Sequence, residues 1–424
     1  MDSTTFTTLA QLTATPEPFA FWLDDLVPYL EAVPDPRARR GRRYPLAPLL
    51  ALAVVAKLAN HADLTALAAW ARLRQTELTR WLGLPRPTMP HPTTWTRVFA
   101  ALDVAALEQQ VGRFFAAHPP AGARQGGLQL TIDGKTLRGT IPAGAKHGVH
   151  LVAAYLPHQG CVLAELAVSG QANELTVAPT LLAQLDLAGL IVTGDALFAQ
   201  RNLSAQIIAA GGDYVWTVKA NQPALLDDIR WLFAPLRAGE RAQDYDWRSP
   251  PAPDVTKGHG RLEEREIVVS AALAGYSDWP GLAQVFQVTV RRTDGQGKTR
   301  ESIRYGVTSL TAAQASPQRL LDLTRGHWGI EGGLHQRRDV TLGEDRSQVR
   351  QGHAPQVLAC LNNVVVGLVA QVREPNLAAA RRGFDYRFNR ALQRYTAAQS
   401  QPATPRIARV APRLREAQPT VQAA

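Results

Sequence analysis

The most constraining feature of this 424-residue sequence is the order of strand-like and helix-like segments between residues 128 and 219. Three β-strands are predicted first, from alternation and β-propensity, at 128–133, 150–156 and 161–168. Helices and strands then alternate, with helices at about 174–185 and 202–210 and strands at 187–195 and 214–219. Strands followed by alternating β and α segments predict a mixed sheet with helices on its faces.

Three carboxylates stand out against this pattern. Asp133 in LQLTIDGKTLRGT and Asp195 in LAGLIVTGDALFAQ each come at the end of a predicted strand, and Glu331 lies in the helix-like run RGHWGIEGGLHQRRD. Side chains at strand ends in such sheets carry the chemistry. Carboxylates brought together from two strand ends and a helix can hold two Mg²⁺ ions for phosphoryl transfer.

The charge balance of the chain indicates which kind of phosphate compound the protein would act on. The chain has 46 Lys and Arg against 36 Asp and Glu, a formal net charge of +10, which fits a nucleic acid as partner. Residues 371–424 are rich in Arg and contain no Lys. Two interpretations of this tail remain open: a solvated, partly disordered end, or a contact with a nucleic-acid backbone.

Other features of the sequence indicate the cellular compartment. Cys161 and Cys360 lie in apolar surroundings without metal-binding spacing, so we expect buried free thiols in a reducing cytosol. The first residues lack the pattern of a signal peptide, and the apolar run at 46–55 is too short to cross a bilayer. We therefore expect a cytoplasmic protein without a membrane partner.

The chain divides into six predicted regions. These are a disordered N-terminus at 1–16, a helical domain at 17–118, a first part of the α/β core at 128–220, a β-rich insertion at 221–315, a second part of the core at 316–370, and the basic tail at 371–424. The helical domain opens with a basic loop and either binds DNA or serves as a structural or dimerising bundle. Helix starts are predicted at Pro45 and at Thr93 or Thr94.

The last core helix is predicted to carry a metal-and-phosphate face. His327, Glu331, His335 and Arg338 fall at helical spacing on one side. In this arrangement Glu331 would bind a metal and the cationic side chains would bind phosphate oxygens. An exposed, salt-bridging helix face is the alternative.

Six segments together resemble one protein family: IDGKTLRG, VTGDALFAQ, YVWTVKANQ, KGHGRLEER, HWGIEGGLH and DVTLGEDRS. In this order they are similar to the H-repeat-associated group of bacterial insertion-sequence transposases, over roughly residues 25–370. The resemblance implies a DDE enzyme with a ribonuclease-H-like core and a β insertion before the catalytic Glu. It implies that Asp133, Asp195 and Glu331 are the catalytic, metal-binding triad.

The same resemblance implies the cofactor and the partners. Two Mg²⁺ ions, with Mn²⁺ as a substitute, would act on double-stranded DNA at the element's ends and at the target, and two protomers would pair on the DNA. The sequence departs from the wider family at Thr324, His327 and Arg338, where a Tyr, an Arg and a Lys are usual. His and Arg still suit phosphate, but the missing Tyr changes how an end phosphate would be bound.

Further residues are predicted around the site. The DNA-binding set is Lys135, Arg138, Lys219, Asn221, Gln222, His259, Arg261, His327, His335 and Arg338. Asp339, Glu344 and Asp345 are predicted to orient neighbouring arginines rather than to bind metal. Three other functions remain: a hydrolytic nuclease on the same core, a DNA-binding, repressor-like derivative without catalysis, and, remotely, a glycosidase.

Overall fold

The protein is described from a computed structural model. The structure describes residues 23–82, 84, 88–118, 127–168, 172–237, 245–258 and 260–398. The predicted disordered N-terminus at 1–16 and the last part of the basic tail lie outside these residues.

Among the described residues, the N-terminal region consists of six helices. They are α1 (Leu23–Glu31), α2 (Leu46–Leu58), α3 (Leu64–Leu73), α4 (Gln75–Trp81), α5 (Pro92–Ala101) and α6 (Val104–Ala117). Side chains of Asp63 and Asp103 cap α3 and α6 by accepting from backbone N–H groups. The predicted starts shift slightly: Pro45 is the N-cap of α2, and α5 begins at Pro92 with His91 as its cap rather than at Thr93 or Thr94. Proline suits the first helical turn because its missing N–H has no partner there in any case.

One nine-stranded sheet forms the centre of the molecule. Its strands are β1 (Leu128–Thr136), β2 (His150–Leu156), β3 (Cys161–Val168), β4 (Leu190–Gly194), β5 (Asp213–Val218), β6 (Asp254–Gly258), β7 (Arg261–Ser270), β8 (Gln284–Thr293) and β9 (Thr299–Thr308). Their spatial order is β3-β2-β1-β4-β5-β9-β8-β7-β6. β1 and β4 are parallel neighbours, which confirms the predicted ribonuclease-H-like mixed sheet.

Strand β1 is longer than predicted. It continues past Asp133 to Thr136, because residues Thr131–Thr136 pair with β2, whereas its pairing with β4 ends at Thr131. Asp133 therefore lies inside the strand, just beyond the point where β1 and β4 separate. Asp133 lines a cleft together with Gly194 and Asp195 at the end of β4.

The predicted β-rich insertion is continuous with the core sheet. It begins with α9 (Pro223–Leu232) and the short α10 (Ala234–Arg237), after the core helices α7 (Glu174–Ala183) and α8 (Arg201–Ala209). β9 pairs antiparallel with the core strand β5, and β8, β7 and β6 follow as antiparallel neighbours. The insertion thus extends the sheet from its β5 edge.

The chain then returns to the core through α11 (Pro317–His327), two π-helical turns (Glu331–His335 and Arg337–Thr341), α12 (Ala354–Gln371) and α13 (Leu377–Ala398). Helix α12 packs against α2, α5, α6 and β3. The N-terminal helices and the sheet consequently share one large hydrophobic cluster. Burial of each large apolar side chain in such a cluster contributes about 1.5–3 kcal/mol.

Two further predictions concern the cysteines and the basic tail. Cys161 and Cys360 are buried free thiols, as expected. The first part of the basic tail is the helix α13, where Arg381 is buried and donates to the backbone carbonyls of Lys57 and Thr341, so this part is not a solvated end. Among the described residues only α12 is long and apolar enough to cross a membrane, and 83% of it is buried inside the protein.

Candidate active site

Asp133 and Asp195 are brought together by the register of two parallel strands. Thr131 of β1 is paired with Thr193 of β4, and each Asp follows its Thr by two positions. Asp195 also caps the 3₁₀ turn after β4, because its Oδ1 accepts from Leu197 N at 2.8 Å. Both carboxylates line the same cleft.

Two residues predicted to bind DNA hold the turn after Asp195. Asn221 Nδ2 donates to Ala196 O at 2.6 Å, and Gln222 Nε2 donates to Ala199 O at 3.0 Å. Through these bonds the two side-chain amides fix the backbone that follows Asp195, a predicted metal ligand. The DNA contact of Asn221 and Gln222 stays a prediction, and their amide nitrogens also hold this turn.

The glycine of the IDGK motif, Gly134, lies where a larger side chain would not fit. A Cβ on Gly134 would collide with the carboxylate of Glu174, at the start of α7. Glu174 is fixed in this position by His150, whose Nε2 lies 2.9 Å from Glu174 Oε1. The glycine next to Asp133 lets a second carboxylate pack close to the first.

Glu331 and His335 lie on a π-helical turn, which has more residues per turn than the α-helix assumed from the sequence. Glu331 has a side chain 57% exposed, His335 is 5% exposed and Arg338 is fully buried. The predicted single face is therefore wrong for Arg338. The wider turns rotate it away from Glu331 and into the interior, and Gly333 permits this by leaving room for the Tyr155 hydroxyl.

Arg338 is the centre of a buried polar network. Its Nε donates to Glu344 Oε2 at 2.9 Å, and its Nη1 donates to Glu165 and to Asn363. Burial alone would lower the pKa of Arg338, but Glu165 and Glu344 raise it above its ordinary value, so the guanidinium stays charged. Because these partners enclose it, Arg338 cannot contact DNA in this structure, and that prediction is corrected.

Lys135 is likewise directed to protein carboxylates. It is buried, forms a short ion pair with Asp339, and lies 3.7 Å from Asp345. Arg138 is 79% exposed and lies 3.7 Å from Asp345. Lys135 thus joins β1 to the second π-helical turn, whereas Arg138 stays accessible to a ligand.

Asp133, Glu331 and His335 form a compact group of ligand atoms. His335 Nδ1 lies 3.7 Å from Asp133 Oδ2 and 3.7 Å from Glu331 Oε2, and the three ligand atoms all lie within 4.8 Å of one another. Burial raises the pKa of Asp133 to about 7, and the nearby Glu331 adds to the effect. Burial, with Arg338 and Lys135, lowers the pKa of His335 to about 3, so its imidazole is neutral.

The cleft around these residues has a volume of about 760 Å³. The predicted residues Lys219, Arg261 and His327 line it beside the acidic residues. Burial lowers the pKa of His327. His259 lies outside the described residues.

One wall of the cleft, called here the arginine wall, was not predicted from the sequence. It carries arginines from the insertion strands and from α11: Arg265, Arg292, Arg304 and Arg325. Arg265 and Arg292 both contact Glu263, whereas Arg304 lies 5.8 Å over the ring of the exposed Trp328. The alternation of charged residues at 261, 263 and 265 marked one face of β7 and could have indicated this wall.

Comparison with known proteins identifies the class. Residues 124–366 match the model of the transposase DDE domain, and residues 27–115 match the model described as DDE_Tnp_1-associated. The chain therefore belongs to the transposase DDE domain family, a family of enzymes that cleave and transfer DNA.

Individual relatives agree with this assignment. An uncharacterized protein in the dhlA 3′ region of Xanthobacter autotrophicus is 36% identical over 67% of this chain and 94% of its own length. The "H repeat-associated putative transposase YhhI" of Escherichia coli K12 is 28% identical over 57% of this chain and 63% of its own, which confirms the resemblance to the H-repeat-associated group. A cryo-EM structure of the piggyBac transposase synaptic complex with hairpin DNA has a TM-score of 0.41 and 10% identity, over 95% of this chain and 83% of that one. That likeness is too distant to carry an argument.

Proposed function

We propose that this DDE transposase binds the terminal inverted repeats of its own element and cuts and joins DNA there with two divalent metal ions. The observation that carries the proposal is the convergence of Asp133, Asp195 and Glu331 on one arginine-lined cleft. Carboxylates supply the ion ligands, and the arginines supply the contacts with a polyanion.

The residues of the site fit a metal ion. Asp133 is partly buried with a raised pKa and faces the carboxylate of Glu331, an arrangement that is unfavourable without a cation between them. Asp133, Asp195 and Glu331 would hold the ions. We propose Mg²⁺ as the ion, with Mn²⁺ as a substitute; when bound, the pair would activate the attacking oxygen and stabilise the leaving 3′-oxygen.

The chain's own groups would position the DNA. Lys219, Arg261, Arg304 and Arg325 line the cleft and would contact phosphates flanking the scissile bond. Arg138 offers a further cation outside the buried network. The turn held by Asn221 and Gln222 would keep Asp195 in register with Asp133 as DNA binds.

The partners and location follow from the family and stay part of the proposal. Two protomers would pair the two ends of the element, and the protein would act on double-stranded DNA in the bacterial cytoplasm. The basic part of the chain after α13 would add contacts with the DNA backbone.

The test is a metal-dependent cleavage assay on DNA carrying the sequences that flank the chain's own gene. We expect cuts at the element ends with Mg²⁺, products joined to a target duplex, and neither product from Asp195→Asn. Glu331→Gln should likewise lose cleavage while its DNA affinity stays nearly unchanged.

The alternatives give different products. Cleavage without joined products would indicate a hydrolytic nuclease. Specific binding of the ends without cleavage would indicate a repressor-like derivative. Full activity of Glu331→Gln would remove Glu331 from the metal site.

A further inference from the structure

His335 is a buried imidazole directed at two carboxylates without hydrogen bonding to either. Its Nδ1 lies 3.7 Å from Asp133 Oδ2 and 3.7 Å from Glu331 Oε2, beyond hydrogen-bond distance. Its Nε2 has no hydrogen-bond partner among the described residues, although the residue is only 5% exposed. The nitrogen directed at the two carboxylates is Nδ1, so an ion between their oxygens would meet this atom.

The spacing of these atoms suits a shared ion. Divalent ions bind carboxylate oxygen and imidazole nitrogen at about 2.0–2.2 Å. Ligand atoms around one such ion therefore lie roughly 3–4 Å apart, as His335 Nδ1 does from both oxygens. A small movement of the exposed Glu331 side chain would bring all three atoms to binding distance.

We propose that His335 Nδ1 is a ligand of the ion held by Asp133 and Glu331, which adds a nitrogen donor to a site otherwise built from carboxylates. This inference rests on the proposed function and specifies its metal chemistry. Binding through Nδ1 requires the neutral imidazole to carry its proton on Nε2, which leaves the Nδ1 lone pair for the ion. Asp195, which is not part of this compact group, binds the second ion together with Asp133.

A nitrogen ligand changes the preference of the site among metals. Imidazole favours transition-metal ions, whereas Mg²⁺ and Ca²⁺ prefer oxygen donors. At equal concentrations the site formed by Asp133, Glu331 and His335 is therefore expected to bind Mn²⁺ more tightly than Mg²⁺, so Mg²⁺ would occupy it where Mg²⁺ is in large excess. The ion at Asp195 would lack this preference.

The test is pulsed electron paramagnetic resonance on the full chain, freed of metal and reloaded with Mn²⁺ alone. We expect electron spin echo envelope modulation from a directly bonded ¹⁴N nucleus, replaced by a ¹⁵N pattern when the protein is grown on ¹⁵N-histidine. His335→Leu should remove the modulation and weaken Mn²⁺ binding about 10-fold or more. His335→Asn, which places an amide oxygen near the position of Nδ1, should retain binding without the nitrogen signal and with reduced selectivity for Mn²⁺ over Mg²⁺.

His327→Asn is the matched control, because His327 lines the same cleft and its Nδ1 is also buried with no partner in the described part of the chain. Its nitrogen modulation should equal that of the wild type. Loss of the modulation in His327→Asn, or its persistence in a folded His335→Asn protein, would overturn the inference. Absence of modulation in a wild-type protein that binds two Mn²⁺ ions and cleaves DNA would also overturn it, while the proposed function would stand. Absence of both metal binding and cleavage would instead reject the proposed function.

Discussion

Lys57, in the second N-terminal helix, donates a 2.7 Å hydrogen bond to Asn362 of α12 across a sequence separation of 305 residues. Asn362 in turn donates to Glu344, which binds Arg338 on the segment carrying Glu331. The helical region is thus connected to the candidate active site by a chain of buried polar contacts. We infer that the helical region helps to hold the segment that carries Glu331 in position.

The first prediction concerns the centre of this network. Arg338→Met should lower the free energy of unfolding by about 3–5 kcal/mol, because it leaves Glu165 and Glu344 buried without their cation. Urea unfolding of the variant measures this. Arg138→Met is the matched control, since Arg138 is 79% exposed, and it should change stability by less than about 0.5 kcal/mol.

The same variant checks the corrected role of Arg338. At a temperature where it remains folded, Arg338→Met should show the wild-type dependence of DNA affinity on salt. A fall of about 0.9 in the slope of log K against log salt would mean that Arg338 neutralises a phosphate after all.

The second prediction concerns the π-helical turn. A Cβ at position 333 would collide with the Tyr155 hydroxyl, so Gly333→Ala should destabilise the protein by about 1–3 kcal/mol and displace Glu331. Cleavage rate and thermal unfolding should both fall. Adding Tyr155→Phe removes the nearest atom and should restore part of both; a double variant no better than Gly333→Ala would show that the turn has another cause.

The third prediction is a pH dependence set by Asp133. Its pKa is about 7 in the folded protein against an ordinary value of 3.8, so between these values the folded state binds the proton more tightly than the unfolded state. Metal-free protein should therefore lose the contribution of this group as pH rises from about 4 to 7. Asp133→Asn should match the wild type near pH 4 and exceed its stability by about 2–4 kcal/mol near pH 8.

Metal addition supplies the contrast for this prediction. Saturating Mg²⁺ at pH 8 should raise the unfolding temperature of the wild type but scarcely that of Asp133→Asn. A stability difference between the two proteins that does not vary with pH would contradict the raised pKa.

The fourth prediction concerns the arginine wall. Arg304→Ala should weaken DNA binding and reduce the salt slope by about 0.9, because Arg304 lines the cleft and has no ion-pair partner among the described residues. Arg230→Ala is the control, since Arg230 pairs with Asp227 on the surface helix α9 and does not line the cleft. Equal effects of the two substitutions on filter binding would mean that the wall contributes only its net charge.

The sequence predicted the first five strands because each has a local pattern. Apolar alternation identified β1, and the continuous apolar run identified β4, so Asp133 and Asp195 could each be assigned to the end of a predicted strand. These features depend on residues close together in the chain.

The remaining features depend on distant contacts. An α-helical spacing would place Arg338 beside Glu331. The structure instead has π-helical turns, in which Gly333 packs closely against Tyr155. Glu165, which binds Arg338, lies 173 residues earlier in the chain. The pairing of β5 with β9 likewise has no local pattern, because about 80 residues of helix, loop and hairpin separate the two strands. Hence the charged face of β7 could be recognised from its alternation, but its place beside the carboxylates could not be predicted from the sequence.

The continuity of the nine-stranded sheet also limits how relatives of this chain can vary in length. Arg304 of β9 is paired with Val288 of β8, and neighbouring residues of a strand point to opposite faces. One residue gained or lost inside β9 would turn Arg304 away from the cleft. Insertions and deletions should therefore be concentrated in the turn between β8 and β9, at residues 294–298, where they leave the register of both strands unchanged.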